Sequence, residues 1–498
     1  MRREIPAFNY HSSTEPIPED YLSRHKSFSR GRGTIQFSWA FGAKMPSITQ
    51  KSRVSVHTLG CKLNYAETSS IASQFVQKGF SLVPFGEDTD VLLLNTCSVT
   101  ANAEKECRQL IRRTLRRSPE AFIIVTGCYA QLRPEEIASI DGVNLVLGAK
   151  EKFEIFDHID HLDTSDGPRI AASEITDAIE FHSAVTAESD GRTRAFLKVQ
   201  DGCDYSCSFC TIPKARGTSR SPETEDIVRR AIQLCEEGFH EIVLSGVNIG
   251  DFGRKTGASF YELARALDEE PQITARIRIS SIEPNLLKNE IIELVARSDK
   301  FCPHFHIPLQ SGSDKILRLM QRRYATDLYR SRIEKIKSLI PHAGIGADVI
   351  VGFPGESEED FQATYQFIHS LDISYLHVFT YSERPGTKAS TMEDTIPVQT
   401  RGDRNRKLRI LSEKKRNAFH VSQLGKEALV LLDKPGPNTN SNREGFSENY
   451  VRVQLSSPVV GNAELVRARL ENIAGDLVIA TPLEVLLCRR EHTLLPIL

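Results

Sequence analysis

Three of the ten cysteines are crowded into one short segment, Cys203-Asp-Tyr-Ser-Cys207-Ser-Phe-Cys210. The C-x3-C-x2-C spacing lets a loop direct three thiolates at one centre, and soft thiolates select zinc, copper(I) or iron–sulfur clusters. A closed structural zinc site needs four ligands, and no fourth Cys or His follows at the usual spacing. Three ligands favour a cluster with one open iron, where a small chelating molecule could bind. A zinc loop with a distant fourth ligand is the alternative.

Three further cysteines, Cys61, Cys97 and Cys128, each follow a short run rich in branched apolar residues. Such runs, at 54–60, 90–96 and 121–127, are typical of buried strands, and helical segments are predicted after them at 67–78, 103–117 and 134–139. Because the carboxyl ends of parallel strands share one edge of a sheet, the three thiols should converge. A second three-thiolate site is therefore predicted, the alternative being three buried core cysteines. The remaining four are interpreted as structural: Cys107, Cys235, Cys302 and Cys488.

The middle of the chain continues the alternation of strands and helices. Predicted strands cover 195–200, 241–245, 276–280, 304–308, 346–351 and 376–380. Predicted helices cover 223–237, 259–268, 286–297, 327–339 and 358–370. Six such units are too few to close an eight-stranded barrel and favour an open, partial (βα)6 barrel with its site at the carboxyl ends of the strands.

Polar residues at the ends of these strands are candidate contacts for a cofactor or substrate. They are Ser245, Ser281, Glu283 and Gln310. Loops at this end of a barrel commonly carry such contacts. Ordinary turn chemistry is the better explanation for any single Gly or Pro in these loops, whereas the set as a whole favours a small-molecule site.

Composition narrows the class of protein. The chain has 498 residues, enough for about three domains, with 40% hydrophobic and 26% charged residues and a net charge of −2. It contains no apolar run long enough to span a membrane and no phosphate-binding P-loop. Because no apolar stretch follows Met1-Arg2-Arg3-Glu4, we do not expect a secretory signal. Ten cysteines in such a chain indicate thiol or metal chemistry rather than disulfides.

The last part of the chain changes character. Short strands are predicted at 427–433, 450–456, 464–471 and 477–480, with a loop at 435–442 between the first two. Basic charge lies elsewhere: eight Lys/Arg against two Asp/Glu between Arg401 and Gln423, and a stripe on the helix 103–117. The stripe consists of Lys105, Arg108, Arg112 and Arg116. Such patches can neutralise phosphates, although a solvated charged face is the alternative for each.

These features predict four segments. Residues 1–50 form a disordered extension, 51–170 an N-terminal α/β domain with a parallel sheet, 190–420 the partial barrel and 424–490 a small β-barrel. Seven Lys/Arg and four Asp/Glu among the first 45 residues argue against a transit peptide, which is normally poor in acidic residues.

The cysteine segments resemble the radical S-adenosylmethionine (SAM) methylthiotransferase family. Cys203, Cys207 and Cys210, with Phe209 before the last, look like the radical SAM motif. Thr58-Leu-Gly-Cys61-Lys-Leu-Asn64, Asn95-Thr-Cys97-Ser-Val-Thr100 and Thr126-Gly-Cys128-Tyr-Ala-Gln131 look like its N-terminal domain. The C-terminal strands resemble the TRAM barrel, which helps relatives bind RNA. The resemblance covers roughly residues 50–490.

The resemblance implies two [4Fe–4S] clusters and two uses of SAM. Cys203, Cys207 and Cys210 would hold one cluster, which chelates and reduces SAM to give a 5′-deoxyadenosyl radical. Cys61, Cys97 and Cys128 would hold the other cluster, which carries the transferred sulfur, and a second SAM would supply the methyl group. Phe209, Ser245, Ser281, Glu283 and Gln310 are then expected to contact the cofactor.

Phrases such as Gly127-Cys-Tyr-Ala-Gln131 and Tyr381-Ser-Glu-Arg-Pro-Gly-Thr387 are most similar to the branch acting on N6-threonylcarbamoyladenosine at position 37 of tRNA. The implied partners are a tRNA anticodon loop and an electron-donor protein, with no membrane and a cytoplasmic location. Isopentenyladenosine-37 and an aspartate of a ribosomal protein are alternative substrates. A non-catalytic RNA-binding iron–sulfur protein is the alternative of a different class.

Overall fold

The computed structural model describes residues 52–97, 101–159, 167–175, 181–185, 193–433, 443–457 and 463–488. The predicted extension 1–50 and the predicted loop 435–442 lie outside these ranges. Within them, no helix is both long and apolar enough to cross a membrane.

The first described part is a parallel α/β sheet. Its elements in chain order are β1 (Arg53–Thr58), α1 (Lys62–Gln77), β2 (Ser81–Val83), β3 (Val91–Thr96), α2 (Ala101–Arg117), β4 (Phe122–Gly127), α3 (Cys128–Leu132), α4 (Pro134–Ala138), β5 (Val143–Leu147), α5 (Ile155–Ile159) and β6 (Arg169–Ala171). Among these described strands the sheet order is β2-β1-β3-β4-β5-β6. All six residues of β3 are buried because helices cover both faces of the sheet. The three strands predicted before the cysteines are confirmed to within two residues.

The middle part is the partial barrel. Its elements are β7 (Arg194–Lys198), α6 (Ile212–Arg216), α7 (Thr224–Glu236), β8 (Glu241–Ser245), α8 (Phe260–Glu269), β9 (Arg276–Ile279), α9 (Asn289–Arg297), β10 (His304–His306), α10 (Asp314–Leu319), α11 (Thr326–Leu339), β11 (Gly344–Val351), α12 (Glu358–Ser370), β12 (Tyr375–Thr380) and α13 (Val398–Gln423). In the described residues the strands form two parallel ladders, β7-β8-β9 and β10-β11-β12. A parallel bridge between Ser281 and His306 connects the ladders, as the six-unit barrel predicts.

Alternation along the barrel strands separates an apolar outer face from a polar inner face. On β11, Ile345, Ala347, Val349 and Val351 pack in the core beneath the helices. Asp348, between them in sequence, therefore points to the inside, which we call the lumen. The helices are fixed locally by their first turns: Ser357 and Asp360 form a reciprocal capping box at the start of α12.

The last part is a closed β-barrel. Its described strands are β13 (Glu427–Leu432), β14 (Glu444–Phe446), β15 (Arg452–Leu455), β16 (Ala463–Ala474) and β17 (Leu477–Cys488), in the order β13-β14-β15-β17-β16. A small β-barrel is thus confirmed, with two differences from the sequence prediction. β14 was not predicted, because three residues give too short a pattern. β17 extends eight residues beyond the predicted 477–480, because its pairing with β16 continues past Pro482 through several irregularities of register.

The turn between β14 and β15 closes one end of the lumen. Arg276 donates to the carbonyls of Leu429 and Phe446, at 2.7 and 3.0 Å, and Arg278 donates to those of Glu448 and Ser447, at 2.9 and 3.2 Å. The Tyr450 ring stacks on Phe446 and lies 4.6 Å from His304, centroid to centroid. The C-terminal barrel therefore supplies the floor of the lumen.

Candidate active site: two cysteine groups and a buried charge network

The structure brings Cys61, Cys97 and Cys128 together at the carboxyl ends of β1, β3 and β4, as predicted. Gly60 has a φ of +116°, and a Cβ placed on it would lie 2.9 Å from Cys97 Sγ. Gly127 has a φ of +101°, and its Cβ would lie 2.2 Å from the carbonyl oxygen of Thr96. Both positions need glycine because the left-handed backbone and the close approach exclude a side chain. The glycines let the three cysteine loops press against one another.

The second group, Cys203, Cys207 and Cys210, lies in the loop after β7. Backbone N–H groups of Tyr205 and Ile212 each donate to a thiol sulfur, to Cys203 Sγ and Cys210 Sγ, both at 3.4 Å. Burial raises the pKa of Cys203 to about 12 and that of Cys210 to about 11, so both are protonated until a metal displaces the protons. The structure describes the side chains of nine of the ten cysteines, all except Cys488, and these nine are free thiols.

Both groups fit the ligand set of a cluster with one open position. Each provides three thiols from loops held by backbone contacts, and cationic side chains lie beside them. Arg322 Nη1 is 3.1 Å from Cys207 Sγ, and the same guanidinium pairs with Glu283. Hydrogen bonds and cations of this kind stabilise thiolate ligands and tune a bound cluster.

A network of buried charges lies between the two cysteine groups. Glu67 accepts from Lys152 at 2.6 Å, from Lys198 at 2.9 Å and from Arg216 at 2.9 Å. Asp201 accepts from Lys198 at 2.7 Å, Arg216 at 3.0 Å and Arg220 at 2.9 Å. Two carboxylates thus face four cations, all buried. Against the effect of burial, Arg216, Lys152 and Lys198 hold the pKa of Glu67 well below its usual value.

Arg216 connects the two groups most directly. It ends α6, six residues after Cys210, and reaches α1, where its Nη2 donates to Asn64 Oδ1 at 2.5 Å. Its guanidinium also interacts electrostatically with Cys61 and Cys128. The excess of positive charge in this network suits a position between two sets of thiolates.

The predicted contact residues occupy different environments. Glu283, through Arg322, is adjacent to Cys207. Ser281 Oγ lies 2.7 Å from His306 Nδ1 on the lumen side. Gln310 has a φ of +66°, a strained conformation for a residue with a side chain.

Two candidates have structural partners of their own. Ser245 is buried, and its hydroxyl donates to the carbonyl of Val243 at 3.2 Å. Phe209 packs edge-on against Phe353, with 6.4 Å between ring centroids. Their role in cofactor binding stays a prediction, as does that of the other three.

Apart from Glu283, sequence reasoning missed the charged side chains around the cysteines. Glu67 and Arg216 are separated by 149 residues and carry no periodic or motif signal. Arg322 follows a helix end and is indistinguishable in sequence from a surface arginine. Closeness in the chain could have suggested a role for Asp201, which lies two residues before Cys203.

Comparison with known proteins defines the class. Residues 53–148 match the family described as uncharacterized protein family UPF0004, and residues 197–368 match the radical SAM superfamily. A radical SAM methyltransferase, TsrM from Kitasatospora setae, superimposes with a TM-score of 0.52 at 14% identity, over 68% of this chain and 75% of that one. The fold and the matches thus define a radical SAM protein with an additional N-terminal cysteine domain.

Full-length relatives identify the family. The threonylcarbamoyladenosine tRNA methylthiotransferase MtaB of Bacillus subtilis is 39% identical over 80% of this chain and 89% of its own length. The protein of the same name from Aquifex aeolicus is 39% identical over 81% of this chain and its entire length. The chain belongs to the radical SAM methylthiotransferases of the MtaB type and is a transferase. A relative from Dictyoglomus thermophilum, 32% identical over 84% of this chain and 97% of its own, is named tRNA-2-methylthio-N(6)-dimethylallyladenosine synthase.

Proposed function

We propose that this enzyme adds a methylthio group to C2 of N6-threonylcarbamoyladenosine at position 37 of tRNA. The observation that carries the proposal is the meeting of two three-cysteine groups across one buried charge network. Such chemistry needs one centre that generates a radical and another that presents sulfur. The choice of nucleoside rests on similarity to enzymes named for threonylcarbamoyladenosine.

Two [4Fe–4S] clusters, held by Cys203, Cys207 and Cys210 and by Cys61, Cys97 and Cys128, would together with SAM supply radical generation, sulfur and the methyl group. The residues around them hold the ligands in place and exclude water. Tyr205 and Ile212 orient two of the thiols through backbone N–H groups, and Arg322 donates to the sulfur of the third, Cys207. Arg216 fixes the loop after Cys210 against the helix after Cys61.

A tRNA anticodon loop suits this site, because unpaired bases can be turned out of a loop and into a pocket. Basic side chains on α2 supply a contact for phosphates. Lys105, Arg112 and Arg116 are exposed, whereas Arg108 pairs with Glu136 at 3.1 Å. A cytoplasmic location and reduction by an electron-donor protein are part of the same proposal, as is the predicted division into domains at 51–170, 190–420 and 424–490.

The decisive experiment is nucleoside mass spectrometry on an anaerobic reaction. The reconstituted full chain receives SAM, a reductant and tRNA carrying either threonylcarbamoyl- or isopentenyl-adenosine. We expect a methylthio mass gain on the threonylcarbamoyl nucleoside only. A gain only on the isopentenyl nucleoside would overturn the substrate and keep the chemistry. SAM cleavage without a gain on either RNA would point to a protein substrate.

Two cysteine variants are the controls for this reaction. C203A should lose SAM cleavage and about half of the bound iron, because only the other cysteine group would remain complete. C97A should lose a similar share of iron and stop methylthiolation while SAM cleavage continues. Binding of tRNA by C203A and wild type alike, together with SAM cleavage by neither, would favour the non-catalytic RNA-binding alternative.

A further inference from the structure

The lumen wall carries a compact polar group. His306 on β10, Asp348 on β11 and His377 on β12 present nitrogen and oxygen atoms that all lie within 4.8 Å of one another. His306 Nε2 is 3.1 Å from Asp348 Oδ1, and its other ring nitrogen is engaged by Ser281 at 2.7 Å. Asp348 and His377 are direct neighbours in the β11–β12 register. The group offers both hydrogen-bond donors and an acceptor to a molecule in the lumen.

Lys62 brings a positive charge to the same space. It is the first residue of α1, directly after Cys61, and its side chain is exposed. Its ammonium lies 5.9 Å from the centroid of the Tyr450 ring on the lumen floor. Burial is the main cause of the lowered pKa of His304 and of His377, and Lys62 contributes to both. Among the described residues Lys62 forms no ion pair, so its charge is available to a ligand.

An apolar surface adjoins the polar group. Phe379 follows His377 by two residues on β12 and thus lies on the same face of the strand, and it remains 41% exposed. Its pairing partner on the neighbouring strand β11 is Ile350, which is partly exposed. An exposed aromatic ring beside polar groups is the type of surface on which an unpaired base stacks.

We infer that Lys62 is the specificity-determining residue of the substrate site, where it binds the carboxylate of the threonylcarbamoyl group. Asp348 accepts hydrogen bonds from the hydroxyl or N–H groups of that substituent, His306 and His377 complete the polar wall, and the adenine packs against Phe379. The inference rests on the proposed function and names the contacts that select its nucleoside.

The same wall disfavours an isopentenyl substrate. That substituent has no polar atom beyond N6, so binding it would bury the Lys62 ammonium without a partner, whereas His306 and Asp348 would keep only each other. Leaving polar groups unpaired in this way costs more free energy than the loss of one contact, and it is how sites built for hydrogen bonding reject apolar analogues.

The test compares RNA binding by the cluster-loaded full chain and two variants, K62Q and K62R. The probes are anticodon stem–loop RNAs with threonylcarbamoyladenosine, with its threonine methyl ester, or with unmodified adenosine. We expect esterification to weaken wild-type binding by about 10- to 100-fold, the range for one charged hydrogen bond. K62Q should bind acid and ester alike, and K62R should retain most of the preference for the acid.

K78Q, which removes an exposed lysine just after the other end of α1, is the matched control and should keep the wild-type preference. Iron and sulfide per chain should be unchanged in K62Q, which separates a lost contact from a lost cluster. Wild-type binding that is indifferent to esterification would overturn the inference whether or not K62Q assembles.

Turnover separates this inference from the proposed function. Methylthiolation of threonylcarbamoyl RNA by wild type, combined with equal use of the acid and the ester, refutes the role of Lys62 and keeps the function. Turnover of isopentenyl RNA alone refutes the function itself. A divalent metal ion held stoichiometrically by His306, Asp348 and His377 would also overturn the assignment of this group to substrate.

Discussion

At the scale of single residues, the buried charges have positions that only the folded chain defines. Glu241 on β8 illustrates this. It accepts from Arg276 Nε at 2.5 Å and from Arg278 Nη2 at 2.9 Å. Both arginines also donate to carbonyls of the C-terminal barrel. Glu241 therefore orients two side chains that attach one part of the molecule to another.

Replacing Glu241 with glutamine should be strongly destabilising, because it leaves the buried guanidinium of Arg278 and the partly buried one of Arg276 without their counter-ion. We expect E241Q to lose about 3–5 kcal/mol of unfolding free energy at pH 7, the range for a broken buried pair. Denaturant titration of the full chain measures this loss. E269Q, which breaks the exposed pair with Arg265 on α8, is the control and should change stability by less than about 1 kcal/mol.

The difference between E241Q and wild type should also depend on pH in a defined direction. Although burial opposes it, Arg278 and Arg276 hold the pKa of Glu241 far below its usual 4.5. The carboxylate therefore stabilises the fold fully above pH 4.5, and this contribution decreases as the pH falls toward the lower pKa of the folded state. A difference that grew on acidification would contradict the ion pair.

Which residues could be predicted depended on whether their signal was local. Cys61, Cys97 and Cys128 were placed correctly because each follows a buried strand, and strand ends in a parallel sheet share an edge. Glu67, Arg216 and the lumen group of His306, Asp348 and His377 depend on contacts between distant segments. No spacing in the sequence reports such contacts.

At the scale of elements, the bounds of buried strands were predicted well and the start of helix α1 less well. β8 and α12 match their predicted bounds, because β8 is an uninterrupted buried run and α12 starts at a capping box. α1 begins at Lys62, five residues before its predicted start, because Cys61 occupies the N-cap position with an extended backbone. The sequence offered no Ser, Thr, Asp or Asn cap to mark that start.

The basic segment 401–423 shows that a high density of positive charge in the sequence does not by itself indicate an exposed, RNA-binding surface. It is the greater part of α13, and two of its arginines point inward. Arg401 and Arg404 are buried, where they pair with Glu383 and Glu356, both at 2.5–2.6 Å. Lys415 donates to the carbonyl of His369 at 2.8 Å. Part of the charge that predicted phosphate binding therefore stabilises the packing of α13 instead.

The stripe on α2 remains the better candidate for RNA contact. We expect K105Q/R112Q/R116Q to weaken tRNA binding and to make the plot of log affinity against log salt shallower by about 2–3, because each lost phosphate contact removes about 0.7–0.9 from the slope. Binding titrations at several salt concentrations measure this change. R229Q/R265Q/R297Q, on exposed faces of α7, α8 and α9, is the charge-matched control. An unchanged slope in the triple variant would assign the tRNA surface elsewhere.

At the scale of the whole molecule, the floor of the lumen depends on one very close backbone contact. A Cβ placed on Gly344 of β11 would lie 2.1 Å from the carbonyl oxygen of Asn449, in the turn that closes the lumen. Only glycine allows the C-terminal barrel to approach β11 this closely.

G344A should therefore displace this turn. We expect a loss of about 1–3 kcal/mol in unfolding free energy, typical of overpacking, and faster proteolysis of the C-terminal barrel. G402A, in the second turn of α13 with open space where its Cβ would lie, should instead stabilise the chain by about 0.5–1 kcal/mol. If the two variants behaved alike, the close approach of Asn449 would not be a real constraint.

The charge network around Glu67 has a consequence for dividing the chain. Cleavage between residues 159 and 193 would leave Glu67 with Lys152 on the N-terminal piece. The C-terminal piece would keep Asp201 with three cations, Lys198, Arg216 and Arg220. Newly exposed charge and lost partners would weaken both pieces. The two halves match separate families in sequence, yet neither is expected to be stable as an independent polypeptide.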